Sequence, residues 1–211
     1  PKPNIFILII YYITLHIFLI SYQKKYLVIL ISLLLITKYN YLIDNNYYVY
    51  YLDVGQGDSS LLKYKNDVVL IDTGGNLNYS YADNLITFFK SIGISKIKYM
   101  VLTHGDYDHL GEAINIINKF NVENIILNCN KINDLELNII TNSKSNIYKC
   151  VREITLRKSK LQFINTQNYE DENNSSSVIY TKLYNNKLLF MGDAGIEVEE
   201  ELIKNYNLSN I

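Results

Sequence analysis

The stretch that most constrains this chain is Thr103-His104-Gly105-Asp106-Tyr107-Asp108-His109, which follows directly on the apolar run 98–102. Two imidazoles and two carboxylates fall within six residues, and they include two of the chain's three histidines. On a loop leaving a buried strand these four side chains can converge. Mixed imidazole and carboxylate donors suit Zn²⁺, Mn²⁺ or Fe, and more carboxylate shifts preference toward the harder ions. The density of donors is enough for two ions, an arrangement that can brace both oxygens of an in-line displacement at phosphorus.

The apolar residues are unevenly spread. Residues 4–22 carry no formal charge and would rise about 28 Å as a helix, close to a hydrocarbon core of about 30 Å. A second apolar run, 26–37, reaches about 18 residues if it continues to Ile43, with Lys38 able to extend toward headgroups. We read residues 1–43 as a transmembrane helical hairpin, with spans at about 4–22 and 26–43. Tyr11, Tyr12 and Tyr22 lie partly where an interfacial belt would place them, and His16 reads as packed between neighbours. Lys24 and Lys25 in the connecting loop favour a cytoplasmic loop, so the domain that follows is expected on the extracytoplasmic side of a bacterial membrane.

Residues 44–211 have the composition of a globular domain. Strands are expected at 47–53, 59–64 and 68–71, with a helix over 82–92 stopped by Gly93. A buried strand at 98–102, a helix at 112–120 and a strand at 124–127 follow. The stretch 128–159 suggests a helix and a strand near Ile147, followed by strands at 177–183 and 187–191 and a helix from Glu197. Hairpins first and strand–helix alternation afterwards indicate an α/β fold, a mixed sheet with helices packed outside it. The polar motifs fall just after strand ends, where such folds present their chemistry. A net charge of −1 excludes a global field that would attract nucleic acid. Cys129 and Cys150 lie 21 apart with no CxxC pair, and free thiols are expected.

The His-x-Asp-x-Asp-His run resembles the metallo-β-lactamase-fold signature, in a variant with Asp106 at the usual second His. LDVGQGDS (Leu52 to Ser59), IDTGG (Ile71 to Gly75), ENNSSSV (Glu172 to Val178) and FMGDAG (Phe190 to Gly195) appear in the same order as in the ComEC-type DNA-uptake competence proteins. The resemblance covers residues 47–211 by motif and 1–43 by position and hydrophobicity. It implies a C-terminally truncated αββα sandwich and two divalent metal ions, Zn or Mn. His104 and Asp106 would hold one ion and Asp108 and His109 the other. Asp193 would bridge them, and Asp108 would also stand near the attacking water. Asp72 would either fix a ligand or cap its turn, and Asp58 would either support the shell or serve as a turn residue. Asn174, where many relatives carry a third His, offers a carbonyl oxygen or a hydrogen bond to water. A Gly-His-His-Gly motif expected beyond the Asp193 helix is not reached before Ile211, and the start at Pro1 without Met also suggests a fragment.

The implied function is a metal-dependent phosphodiesterase or nuclease domain on a membrane DNA-uptake channel, acting without sequence preference on the single strand that is not imported. Other proteins of the uptake machinery are implied partners. The alternatives are an ester or thioester hydrolase on the same fold, or a catalytically inert channel component.

Overall fold

In a computed structural model, residues 4–43, 45–165 and 169–208 are described. Pro1, Ile211 and the boundary residue Asp44 lie outside them. Two helices come first, α1 (Ile5–Ser21) and α2 (Lys24–Ile43). Asn4 caps α1 by accepting from the Phe6 N–H, and Tyr22 ends it in the left-handed region at φ 49°. The helices pack against each other and bury Thr14 and Leu30, while most of their other apolar side chains are exposed.

The expected pair of membrane spans is not met. α1 ends at 17 residues, a rise of about 26 Å at 1.5 Å each. α2 contains Lys24, Lys25 and Lys38. Among the described residues, no helix is long and apolar enough to cross a membrane.

The remainder is a two-sheet sandwich. The first sheet has the order β1-β2-β3-β4-β5-β6, from β1 (Tyr47–Tyr51), β2 (Ser60–Tyr64), β3 (Asp67–Ile71), β4 (Ile97–Val101), β5 (Val122–Leu127) and β6 (Asn146–Lys149). Its first three strands are antiparallel, and β3 through β6 run parallel. The second sheet, order β10-β9-β8-β7, is antiparallel: β7 (Glu153–Thr155), β8 (Lys160–Phe163), β9 (Ile179–Leu183) and β10 (Asn186–Phe190). Helices α3 (Ala82–Ser91), α4 (Tyr107–Leu110), α5 (Ala113–Lys119) and α6 (Asp134–Asn142) fall between strands of the first sheet, and α7 (Ile196–Asn205) follows β10.

Strand alternation explains the layering. Leu61, Val68, Leu70, Met100 and Ile125 face α3, α5 and α6 through Leu85, Phe89, Ala113, Ile116 and Ile139. Their neighbours Leu62, Val69, Ile71, Val101 and Ile126 face Leu161, Phe163, Ile179, Leu183 and Phe190 of the second sheet. Every residue of β2 and β3 is buried, which is why β3 reads as a continuous apolar run after Asp67, whereas β2 also buries Ser60 and Lys63. Most expected elements fall within two residues of their observed bounds. The expected helix and strand within 128–159 are α6 and β6, whereas the short strands β7 and β8 gave no usable pattern.

Cys129 and Cys150 form a disulfide, with Cα atoms 4.4 Å apart, rather than two free thiols. The reason is register. Leu127 of β5 pairs with Lys149 of β6, so the two cysteines leave the ends of neighbouring strands together. The 21-residue spacing alone could not reveal that pairing.

Candidate metal centre

Three strand ends supply the site. Asp72 follows β3, His104 follows β4 by way of Thr103, and Asp193 lies three residues beyond β10. The short helix α4 turns His109 back toward them. The ligand atoms of His104, His109 and Asp193 all lie within 4.8 Å of one another. Both histidines are buried, and their ring centroids are 4.2 Å apart.

The hydrogen bonds fix which nitrogens face inward. The Thr103 hydroxyl donates to Asp72 Oδ2 at 2.7 Å, which commits its only hydrogen. At 3.1 Å from the same hydroxyl, His104 Nδ1 must therefore be the donor, and its Nε2 carries the lone pair. That Nε2 is buried without a hydrogen-bond partner, at the point where the three ligand atoms converge. A metal ion fits such an atom, since a buried acceptor with no partner is otherwise costly. His109 is oriented in the same way: its Nδ1 donates to Asp72 Oδ2 at 3.0 Å, and its Nε2 lies 3.0 Å from Asp193 Oδ1.

Asp72 thus anchors both imidazoles, one directly and one through Thr103, and it also accepts from the Thr103 N–H at 2.8 Å. It adopts φ 55°, a left-handed conformation uncommon outside glycine and stabilised here by these bonds. Burial, the largest single influence on the His109 imidazole, pushes its pKa down. The bond to Asp72 and the charges of Asp72, Asp193 and Asp108 together outweigh burial and raise it to about 9. Without metal, then, His109 holds a proton among carboxylates at neutral pH.

The other expected residues surround this group at greater distance. Asp106 Oδ2 is 3.7 Å from His104 Nε2 and its side chain is half exposed. Asp108 reaches His109 through its charge. Asp58 is exposed and shares a cleft with Tyr51, Asp72, Phe190 and Gly192. Asn174 is committed elsewhere: its Oδ1 accepts from the Gly195 N–H at 2.9 Å and its Nδ2 donates to Glu197 at 3.1 Å. It braces the turn that carries Asp193.

Several supporting residues escape sequence reading. Thr103 is one, although its place next to His104 was a usable signal. Glu172 accepts from the Gly105 N–H at 2.9 Å and from the Asn130 side chain at 2.8 Å, and Asn133 donates to the Gly105 carbonyl at 2.9 Å. Glu172 opens the ENNSSSV motif, but that it and Asn133 meet the metal loop depends on distant segments coming together, which no local pattern marked. A Cβ on Gly105 would fall 2.0 Å from Asn133 Nδ2, and one on Gly57 would fall 1.8 Å from the Asp108 carbonyl oxygen. The LDVGQGDS turn and the metal loop therefore lie backbone against backbone.

Comparison with known proteins agrees with this architecture. Residues 52–127 match the Metallo-beta-lactamase superfamily. Over 175 residues the chain is 26% identical to ComE operon protein 3 of Bacillus subtilis, covering 72% of this chain and 23% of that protein. The chain thus spans about a quarter of that relative's length. Among solved structures, a putative metallo-beta-lactamase from Thermotoga maritima superposes with a TM-score of 0.50 at 15% identity, over 76% of this chain and 92% of that one. A HARLDQ-motif mutant metallo-beta-lactamase from Cronobacter sakazakii does so with a TM-score of 0.50 at 14% identity, over 67% and 60%. At these identities the structures speak for the fold alone. The fold is thus metallo-β-lactamase-like, and its strand ends carry a candidate metal site. Its similarity to ComE operon protein 3 of Bacillus subtilis is the more particular finding.

Proposed function

We propose that this domain is a metal-dependent phosphodiesterase that cleaves single-stranded DNA without sequence preference, as part of a bacterial DNA-uptake protein held at the cell membrane. The observation that carries the metal chemistry is the convergence of His104, His109 and Asp193 around a buried imidazole nitrogen with no other partner. The DNA-uptake role rests on the motif order and on the similarity to ComE operon protein 3.

Two divalent ions, Zn or Mn, would be held by His104, Asp106, Asp108, His109 and Asp193, and would supply Lewis acidity to the phosphoryl oxygens. The chain's own residues do the rest. Asp72 and Thr103 keep both imidazoles in the tautomers that present Nε2. Asp108, beside His109, takes the proton from the attacking water. Asn174 and Ser176 hold the 192–195 turn and with it Asp193. Tyr51, 73% exposed at the mouth of the adjoining cleft, offers a ring for stacking by any base, which suits sequence-independent binding.

The α1–α2 hairpin is the membrane anchor in this reading, with the domain on the extracytoplasmic side. Exposed apolar side chains along both helices support the anchor, and the Cys129–Cys150 disulfide suits an oxidising compartment. Other proteins of the uptake machinery would contact it there.

The test is to assay the purified full chain with Mn²⁺ or Zn²⁺ against a labelled single-stranded oligonucleotide, a lactone and a thioester. Cleavage of the oligonucleotide that is lost in Asp108→Asn is expected. Turnover of the lactone or thioester alone would replace this reading with an ester hydrolase, and metal binding without turnover of any substrate would make the domain inert.

A further inference from the structure

A single residue, Gly105, separates His104 from Asp106, and it is gripped from both sides. Its N–H donates to Glu172 Oε1 at 2.9 Å, and its carbonyl accepts from Asn133 Nδ2 at 2.9 Å. Gly105 is buried, so a backbone group that lost its partner there would stay unsatisfied at a cost. The two side chains close over its Cα: a Cβ would meet Asn133 Nδ2 at 2.0 Å and Glu172 Oε1 at 2.8 Å. Both grips are themselves held. Glu172 Oε2 accepts from Asn130 Nδ2 at 2.8 Å, just beyond the end of β5. Asn133 is the N-cap of α6. Its Oδ1 accepts from the Glu136 N–H, and the Glu136 carboxylate accepts from the Asn133 N–H, both at 2.9 Å.

This clamp reaches a part of the centre that Asp72 does not. Asp72 orients the two imidazoles, directly or through Thr103. Asp106 is placed differently: its side chain is half exposed and makes no capping bond to α4. Its direction follows from the backbone that carries it, and the clamp fixes the peptide unit on either side of Gly105. The remaining ligands have other supports. Asp108 and His109 lie on α4, and the His109 carbonyl accepts from the Thr73 N–H at 2.7 Å. Asp193 sits on the 192–195 turn, which Asn174 and Ser176 hold. That support does not need the Glu172 side chain. Asp171 Oδ1 accepts from the Asn174 N–H at 2.9 Å, and Asn165 Nδ2 donates to the carbonyls of Asn174 and Ser176 at 2.9 and 3.0 Å.

We propose that Glu172 and Asn133 are positioning residues for one ion of the pair, the one assigned to His104 and Asp106, and that they act by fixing the Gly105 backbone. This assignment rests on the two-ion reading given above. Loosening the clamp should deprive that ion of Asp106, while the ion at Asp108 and His109 keeps its own ligands. Such selectivity separates positioning from general support of the fold.

The test counts ions in the full chain. Glu172→Gln keeps the size of the side chain but offers one acceptor where the carboxylate serves two donors. Asn133→Asp keeps the cap of α6 and removes only the donor to Gly105, so it carries the test if Glu172→Gln does not fold. Mn²⁺ titration followed by electron paramagnetic resonance reads both affinity and pairing, because neighbouring Mn²⁺ ions couple and an isolated one does not. The parent should take up two ions and show the coupled spectrum. In either variant one ion should bind as in the parent and the other about tenfold to hundredfold more weakly, with the spectrum of an isolated ion between the two steps. Loss of both ions together, by unfolding of both variants or by parallel weakening, would make the clamp a general support of the fold and overturn the proposal. Unchanged uptake of both ions would overturn it as well. A parent that takes up one ion or none overturns the two-ion reading, and the assignment of the clamp falls with it.

Discussion

At one end of the sandwich, where β3, β4 and β10 finish, Asp72, Asp106, Asp108 and Asp193 gather around two buried imidazoles. At the other end, where β10 begins and β9 finishes, Lys160, Lys182 and Lys187 stand in a row beside Arg157 and Lys158. The net charge of −1 averages these ends to almost nothing. The acidic end builds its charge inward, on groups fixed by hydrogen bonds, and so creates a place for cations. The basic end builds its charge outward and forms a surface. A near-neutral chain can therefore hold opposite local fields, and the useful perturbations are those that strike one end and spare the other.

The largest effect is expected from His109→Ala. Removing one of three converging donors should weaken Mn²⁺ or Zn²⁺ binding by more than the tenfold to hundredfold typical of losing an outer-shell partner. Isothermal titration would show it, and unchanged binding would remove His109 from the centre. The parent protein should also show proton competition. His109 is protonated up to about pH 9, and metal binding must displace that proton. Apparent affinity should rise about tenfold per pH unit below that point and level off above it. The metal-free domain should behave in the opposite sense. The raised pKa contributes stability that is fully present below the unfolded value of about 6.5 and is lost as pH rises through about 9. Chemical denaturation in chelator across that window would record the loss, and in His109→Ala the slope should vanish.

Next in size is the disulfide. It joins positions 21 apart, for which chain-entropy estimates give about 3 kcal/mol. Cys129→Ser should lower stability to urea by about that amount and leave metal affinity unchanged, because the bridge ties β5 to β6 rather than to the ligand loops. A matching loss of metal affinity would mean that the β5–β6 end and the metal loop unfold as one unit.

How the site was read from sequence follows the same division. His104, His109 and Asp193 were visible because ligand types cluster after apolar strands, and that pattern survives in one dimension. The fold was visible for β1 through β5 because each is rich in aromatic, β-branched or other apolar residues and is bounded by turn residues. What stayed hidden depends on register between distant segments. The 21-residue gap did not reveal that Cys129 and Cys150 leave paired strands, and Lys160, Lys182 and Lys187 become a row only once β8, β9 and β10 are aligned. The two helices of the hairpin were legible, but the spans expected of them are unsupported for a different reason. Hydropathy marks apolar length, but the turn at Tyr22 stops α1 at 17 residues.

Asp72→Asn should come third, with a tenfold to hundredfold loss of metal affinity, about 1.4 to 2.7 kcal/mol. The amide keeps the shape of Asp72 but offers one acceptor where the carboxylate served Thr103 and His109 together. The ligands would remain and only their orientation would loosen, so the pH at which metal binding levels off should fall as His109 loses its anionic partner. A loss as complete as that of His109→Ala would instead place Asp72 on the metal.

The smallest effect belongs to the basic end and carries the opposite sign. Lys182→Gln interrupts the row at its centre, where Lys182 faces Lys187 directly and has Lys160 on its other side. Relief of cross-strand repulsion should raise stability by a few tenths of a kcal/mol, up to about 1. The gain should be greatest at low ionic strength and should disappear in about 1 M salt, where the screening length falls to about 3 Å. Denaturation of parent and variant at two salt concentrations measures it. Metal affinity should not move, because the row is separated from Asp193 by the length of β10. If Lys182→Gln destabilised the domain at every salt concentration, the lysine stems would be packing elements rather than a charged surface, and the contrast between the two ends would reduce to the acidic end alone.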